Sequence, residues 1–217
     1  GVSGRRGVCE SCELTWSECA GHFGHFELPV RCFHNGWILE CMNWLRRSCP
    51  CGYVQNLPLG KKCPECDQPT AKIRKKNSIT LTIEDKDGFR LLTASKAYER
   101  LQAIPDHDVH NYYTGADTEF HPTHLILKVL PIPPNCVRPS PTMDGDEVRG
   151  EDDITRRLLY VIRIAKAAQR SIAENSVVKK HAEQRLQDAV HMYIDQRKTP
   201  GNTRASQKSI SERLVGK

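Results

Sequence analysis

The stretch CESCELTWSECAGHFGH, residues 9–25, places three cysteines and a histidine in the order C-x2-C-x6-C-x2-H. Each short pair can turn two ligand atoms towards one point, so two pairs can surround a single tetrahedral metal ion. Thiolate and imidazole ligands suit zinc. The sequence therefore predicts a structural zinc site with four ligands: Cys9, Cys12, Cys19 and His22.

A second group of cysteines follows the first: Cys49, Cys51, Cys63 and Cys66. The segment 63–66 has the C-x2-C spacing of a zinc-ribbon knuckle. Its mate is irregular, because only Pro50 separates Cys49 from Cys51. We predict a second zinc ion bound by all four cysteines, with Cys41 as the alternative ligand if Cys49 is not used.

Ten cysteines in 217 residues would also suit a disulfide framework. The sequence shows no signal peptide and no apolar run of transmembrane length, and the paired spacing favours metal. A zinc hydrolase is disfavoured as well, because a four-ligand ion leaves no open position for water. The cysteines outside good knuckles, Cys32, Cys41 and Cys136, are expected to be small buried apolar residues.

Composition limits the size of any single core. Hydrophobic residues make up 38% of the chain and aromatic residues 6%, which is lean for one large domain. We therefore expect metal ions to substitute for missing core in the first third. The formal charge of +6 permits nucleic-acid contact without requiring it. Six basic residues and one acidic residue give segment 197–217 a charge of +5, nearly the whole excess.

Hydrophobic periodicity predicts small elements in the middle of the chain. In order, they are a short amphipathic helix over 33–47, a strand pair over 73–89 turning at Asp87-Gly88, and a helix over 93–104. Thr93 or Ser95 could cap the second helix, and Pro105 would stop it. Segment 106–123 is polar and is predicted to be a surface loop or a short helix.

The β-rich segment 125–130 ends abruptly in Pro131-Ile132-Pro133-Pro134. Proline lacks the backbone donor and restrains the residue before it. We therefore predict that this proline run neither continues a sheet nor starts a helix. It is predicted to be a stiff, extended connection.

Two helical patterns occupy the C-terminal third. Three carboxylates, at 151–153, precede the first helix, where they complement its unpaired amides and positive dipole end. The predicted inner face of that helix is Ile154, Leu158, Ile162, Ala165 and Ala168. After a break around Glu174-Asn175, the second helix has a predicted inner face of Val178, Ala182, Leu186, Ala189 or Val190, and Tyr193. The two are predicted to pack antiparallel as a helical hairpin.

Four strings carry a resemblance to a known family: GHFGH at 21–25, LPIPP at 130–134 with VRPS at 137–140, GEDDIT at 150–155, and SISERLVGK at 209–217. In this order they resemble the N-terminal part of the largest subunit of multisubunit DNA-dependent RNA polymerases of the eukaryotic, archaeal and large-DNA-virus type. The resemblance spans nearly the whole chain.

The resemblance implies a role inside a larger machine. In that family this region forms much of the clamp, a mobile module that closes over DNA and the DNA–RNA hybrid, and its zinc modules are structural. The family's catalytic motif NADFDGD, which holds Mg²⁺, does not occur in these 217 residues. The chain is therefore expected to be a fragment that acts as a nucleotidyltransferase only within the complete complex. Other polymerase subunits and transcription initiation or elongation factors are the implied partners, with no membrane.

The implied fold is α+β, with two small zinc-binding modules, a short mixed sheet and an antiparallel helical hairpin. Five divisions are predicted: a first zinc module at 1–30, a short helix and second zinc module at 31–70, a strand and helix core at 71–135, the hairpin at 136–196, and a basic loop at 197–217.

Seven basic residues are candidates for sequence-independent phosphate contacts: Arg156, Arg157, Arg163, Lys179, Lys180, Arg204 and Lys208. Each could instead be a solvated surface residue. The rival interpretation is a free-standing zinc-ribbon module that docks onto protein partners through its helical pair. The family would place the protein in the nucleus if it is a cellular eukaryotic polymerase, and in the cytoplasm or virion if it is archaeal or viral.

Overall fold

The computed structural model describes residues 1–2, 7–55, 58, 60–77, 79–85, 88–112, 119–140, 142–143, 148–171, 176–196 and 208–214. Small antiparallel sheets and helices alternate along these ranges, which confirms the predicted α+β class. None of the helices in them is long and apolar enough to span a bilayer.

Short strands precede and separate the helices along the described ranges. In chain order the elements are β1 (Gly24–Phe33), α1 (Ile38–Arg47), β2 (Ile73–Asn77), β3 (Thr80–Asp85), β4 (Gly88–Leu92), α2 (Ala94–Gln102), α3 (Asp106–Tyr112), β5 (Ile126–Ile132), β6 (Thr142–Met143), β7 (Val148–Arg149), α4 (Asp153–Ser171), α5 (Ser176–Ile194) and α6 (Ile210–Leu214). Two short 3₁₀ turns flank β5, at Pro122–Leu125 and Asn135–Val137.

A two-stranded antiparallel ribbon of β1 and β5 forms the centre of the fold. Its register breaks between Glu27 and Cys32, which marks a bulge in β1. The prediction that the proline run leaves the sheet is wrong at its start, because Pro131 pairs with His25 and Ile132 with Gly24. Each strand of a two-stranded ribbon has an open edge, so a residue without an N–H can be accommodated there.

A separate sheet contains β2, β3 and β4 in sequence order. The predicted strand pair is therefore three strands, with an additional turn between Asn77 and Thr80. Gly88 pairs with Asp85 at the predicted turn and has a φ of +108°, a conformation that favours glycine. Asp87 lies outside the described residues. Together with the short pair β6 and β7, the described strands form three antiparallel sheets in place of one mixed sheet.

The first hydrophobic core lies between α1, α2 and the three-stranded sheet. Helix α1 starts at Ile38, later than predicted, because Phe33 still belongs to β1. Thr93 caps α2 as predicted, since its Oγ1 accepts from the N–H of Lys96 at 3.4 Å. The predicted short helix in the polar segment is α3.

The second core lies between the ribbon and the helical hairpin of α4 and α5. The two helices pack on each other and run antiparallel, because only four residues separate them. The predicted break at Glu174-Asn175 lies outside the described residues. Val178 is 43% exposed, so its predicted inward position is wrong. It lies in the first turn of α5, whereas the buried face of that helix is formed further along, at Leu186, Ala189, Val190 and Tyr193.

Two polar side chains attach the hairpin to the ribbon. The Gln187 amide accepts from the Phe33 N–H at 2.6 Å and donates to the Phe33 carbonyl at 3.0 Å. The Tyr193 hydroxyl donates to the carbonyl of Pro131 at 3.0 Å. These hydrogen bonds join the C-terminal half of α5 to β1 and β5. We call this end of the hairpin its base.

Candidate metal centres and basic surface

The first metal centre rests on a tight backbone turn at 9–14. The N–H of Cys9 donates to the carbonyl of Leu14 at 2.9 Å, and the N–H of Glu13 donates back to the carbonyl of Cys9 at 2.7 Å. Glu13 is left-handed, with a φ of 58°. This turn brings the thiols of Cys9 and Cys12 to one point.

The same turn favours the ionised form of its first thiol. The N–H of Ser11 lowers the pKa of Cys9, burial opposes that effect, and the N–H of Cys12 lowers the pKa further, to about 5. A metal ion binds cysteine as the thiolate. The backbone of the turn therefore prepares Cys9 for coordination.

The four ligand atoms of the first centre all lie within 4.8 Å of one another. The Sγ of Cys19 is 3.6 Å from the Sγ of Cys12 and 3.6 Å from Nε2 of His22. Tetrahedral zinc, with bonds of about 2.3 Å to sulfur and about 2.05 Å to nitrogen, requires edges of about 3.8 Å and about 3.6 Å respectively. The observed spacing fits those edges, whereas a disulfide requires about 2.05 Å.

The turn at 63–68 repeats the backbone pattern of the first turn position by position. The N–H of Cys63 donates to the carbonyl of Gln68 at 2.9 Å, and the N–H of Asp67 donates back to Cys63 at 2.9 Å. Asp67 is left-handed, with a φ of 52°. Burial raises the pKa of Cys63, but the N–H groups of Cys66 and Glu65 outweigh it and bring the pKa to about 7.

The irregular spacing of Cys49 and Cys51 produces a shortened version of the same turn. The N–H of Cys49 donates to Tyr53 at 2.8 Å, and the N–H of Gly52 donates back to Cys49 at 2.9 Å. Both bonds span one residue fewer than in the other two turns. The left-handed residue is again the one after the second cysteine, here Gly52 with a φ of +94°. In the two longer turns the left-handed residue lies four positions after the first cysteine, whereas Gly52 lies three positions after Cys49. This shift lets a turn with only one residue between its cysteines close in the same way.

The shortened turn still brings its two thiols into the second centre. The Sγ of Cys49 is 3.5 Å from that of Cys66, and the Sγ of Cys51 is 3.8 Å from that of Cys63. All four sulfurs lie within 4.8 Å of one another. These distances again match the edges of a zinc tetrahedron, and all ten cysteines of the chain are free thiols. Both ligand groups could hold a metal ion, and their donor sets are compatible with zinc.

The remaining cysteines lie apart from both groups. Cys41, the alternative ligand, is fully buried in the first core, and Cys32 is fully buried in the second. Burial raises the pKa of each thiol to about 12. The expectation that Cys136 is buried is wrong, because its Sγ lies at the surface against the carbonyl of Ala20 at 3.2 Å.

The predicted basic residues do not share one environment. Four of them are exposed: Arg156, Arg163, Lys180 and Lys208. Lys179 is half-buried. Arg157 is only 8% exposed, and its guanidinium donates to the carbonyls of Met192 at 3.0 Å and Lys208 at 3.2 Å. The candidate role of Arg157 in binding phosphate is therefore wrong for this structure, because its donors face the protein interior. Arg204 lies outside the described residues.

Comparison with known proteins identifies the chain. The family described as RNA polymerase Rpb1, domain 1, matches residues 53–217. The chain belongs to this family. The Rpb1 domain 1 match begins inside the shortened turn and includes the three-stranded sheet and the helical hairpin.

Relatives from archaea extend the match to the first metal centre, and a viral relative matches much of the chain. Subunit Rpo1N of the DNA-directed RNA polymerase of Sulfolobus acidocaldarius is 28% identical over 96% of this chain. Rpo1N of Methanocaldococcus jannaschii is 30% identical over 97%. A putative DNA-directed RNA polymerase of Frog virus 3 is 30% identical over 78%. The chain spans 28%, 18% and 14% of the lengths of these relatives, respectively.

One contact beside the candidate basic surface of this Rpb1 domain 1 chain is not apparent from its sequence. Asp152 caps α4, accepting from the N–H of Ile154 at 2.9 Å, and also pairs with the Arg213 guanidinium at 2.7 Å. Asp153 accepts from the N–H of Lys208 at 3.1 Å. The predicted helix-start carboxylates therefore also attach segment 208–214 to the hairpin. The partners lie 55 and 61 residues apart in sequence, so no local pattern indicates this contact.

Proposed function

We propose that this chain is the N-terminal clamp portion of the largest subunit of a DNA-directed RNA polymerase. The observation that carries the proposal is the Rpb1 domain 1 match over 53–217, which includes the second knuckle of the second metal centre and the hairpin. In this role the chain has no catalytic residues of its own. Nucleotide addition, with its Mg²⁺, would belong to other parts of the complete enzyme.

The two metal centres would be structural zinc sites. Cys9, Cys12, Cys19 and His22 would hold one ion, and Cys49, Cys51, Cys63 and Cys66 the other. Because the protein supplies all four ligands in each centre, zinc would cross-link short loops and leave no position for a reacting water. The bound ions would replace part of the missing hydrophobic core in the first third of the chain.

The helical hairpin would be the rigid arm of the clamp. Its base is fixed to the ribbon by Gln187 and Tyr193, so a movement of the ribbon and metal centres would carry α4 and α5 with it. Exposed basic residues on this arm and beside it would contact phosphates of the DNA template and the DNA–RNA hybrid: Arg156, Arg163, Lys179, Lys180 and Lys208. Arg204 remains a candidate in the basic segment.

Exposed apolar side chains around the first centre support a fragment of an assembly over a free-standing module. Val8 is 61% exposed and Phe23 is 74% exposed, and Leu14 is 43% exposed. Apolar surface of this kind is usually covered by a partner. Other polymerase subunits would be the partners here, and transcription factors would bind the same clamp. Since the relatives come from archaea and a virus, we place the complex in the cytoplasm or virion.

Salt dependence of transcription complexes tests the proposed DNA contacts. In a polymerase assembled with the complete subunit, R163Q and K180Q should each weaken binding of a template–hybrid scaffold about equally for all sequences. Each should also reduce the slope of log affinity against log salt by about one. K75Q, on the exposed face of β2, is the matched control and should leave that slope unchanged. Unchanged slopes for both R163Q and K180Q would remove these residues from the proposed interface.

A further inference from the structure

The two proposed zinc centres differ in charge. Three thiolates and a neutral imidazole leave the first centre with a net charge of −1, whereas four thiolates leave the second with −2. The second is also partly enclosed, because Cys49 and Cys63 are each 1% exposed. Removing a doubly negative group from water is costly unless an opposite charge lies nearby.

A partly buried cation lies beside the turn that supplies two ligands of the second centre. Arg100 is on α2, and its Nη2 donates to the carbonyl of Ser48, the residue before Cys49, at 3.3 Å. Burial lowers the pKa of Arg100, and an ionised Cys49 would oppose that lowering. The hydrogen bond joins the guanidinium to the shortened turn, and a zinc-bound thiolate at Cys49 would add an attraction between opposite charges.

The guanidinium lacks the carboxylate partner that usually accompanies a partly buried arginine. Among the described residues, no carboxylate lies within 4.0 Å of Arg100, and its Nε is buried without a hydrogen-bond acceptor. A buried, uncompensated cation would itself be unfavourable. The second centre is the negative group that the described structure places next to it.

Close packing holds α2 against the same turn. A Cβ placed on Gly52 would lie 2.2 Å from the carbonyl oxygen of Ala103, at the C-terminal end of α2. The helix backbone and the knuckle are therefore in direct contact, one turn beyond Arg100. This contact keeps α2, the helix that carries Arg100, against the shortened turn.

We propose that Arg100 is the counter-cation of the second centre: its partly buried guanidinium offsets the net negative charge of a four-thiolate zinc site and slows the loss of that ion. Arginine suits this position because its guanidinium stays charged even where it is partly removed from water. The proposal rests on the assignment of zinc to the second centre.

Zinc release measured site by site tests the proposal. The zinc-loaded chain is mixed with a chromophoric chelator, and the release phases are assigned with C19S, which removes a ligand of the first centre. Because loss of a residue that supports metal ligands typically costs 10-fold to 100-fold in affinity, R100M should release the second ion about tenfold faster. The first ion should leave at the wild-type rate. K96M, which removes an exposed charge from the same helix, should change neither phase.

The conservative variant separates charge from packing. R100K retains a positive charge and should restore slow release at least in part. Equal release from R100M and the wild-type chain would overturn the proposal, as would R100K that releases zinc as fast as R100M. Equal acceleration of both phases would also overturn it, because that result indicates general unfolding. Metal analysis comes first: a chain with only one zinc ion would refute the second metal site itself, independently of Arg100.

Discussion

The two metal centres are built from the same kind of backbone turn, but one centre lies outside the hydrophobic cores and the other adjoins a core. The first centre lies beyond the end of the ribbon, and the buried residues of both cores all lie after residue 25. The second is continuous with the first core, because Val54, directly after the shortened turn, is part of it. Arg100 and Gly52 add contacts to α2. The same ligand chemistry can therefore secure a peripheral loop in one place and a core in another.

Removing one ligand from each centre should give the largest difference. C63S should abolish the second site and unfold the first core with it, because a structural zinc ion contributes on the order of 10 kcal/mol, comparable with the stability of a whole domain. C19S should lose the first ion while the melting temperature of the remainder changes by less than about 4 °C. Metal content and near-ultraviolet circular dichroism measure both effects.

The exposed Cys136 provides the control for these variants, since C136S should keep two ions and the wild-type melting temperature. A similar loss of the near-ultraviolet circular dichroism signal in C19S and C63S would show that both centres support the folded core to the same extent. That result would refute the distinction between a peripheral and a core centre.

Replacing Gly52 should have the next largest effect. G52A forces a side chain into the left-handed region and into the carbonyl of Ala103, so we expect a loss of about 3 kcal/mol or more in the free energy of unfolding. Gly88 offers a matched control, because its φ is also positive and a Cβ there would meet nothing within 4 Å. G88A should cost only about 1 kcal/mol. Urea denaturation of both variants measures the difference, and equal costs would contradict the close contact with α2.

The smallest effects should come from the left-handed residues of the two full-length turns. E13G and D67G relieve the unfavourable left-handed conformation of a residue with a side chain, but they also increase the entropy of the unfolded chain. We expect each variant to be between neutral and about 1 kcal/mol more stable than wild type. Similar shifts in urea midpoint would support equivalence of the two turns. A clear loss of stability in either variant would show that its side chain has a role beyond the turn.

Local pattern is enough to predict much of the molecule. The ligand groups can be chosen from spacing, since both Cys-x2-Cys pairs form the same turn at the same positions. The Thr93 cap and the paired helices follow from short-range signals as well. In these cases the residues that make the structure lie close together in sequence.

The features that local pattern misses depend on residues far apart in sequence. Strand β1 escapes prediction, because its alternation is interrupted by the bulge at 28–31 and its partner β5 lies about a hundred residues away. The local pattern also predicts that Pro131 lies outside the sheet, because it gives no sign that β1 will pair with this segment. The guanidinium of Arg157 bonds the carbonyls of Met192 and Lys208, which come close only when the hairpin and segment 208–214 are folded together. In each case, tertiary contacts produce a structure that differs from the one the local sequence pattern predicts.

The most direct test of the central claim is the metal and thiol content of the folded chain. We predict two zinc ions per chain and, after denaturation in the presence of a chelator, ten titratable thiols. Removal of the ions before denaturation should abolish the near-ultraviolet signal of the first core. A chain that is folded without metal, with fewer than ten thiols because disulfides have replaced coordination, would contradict the account.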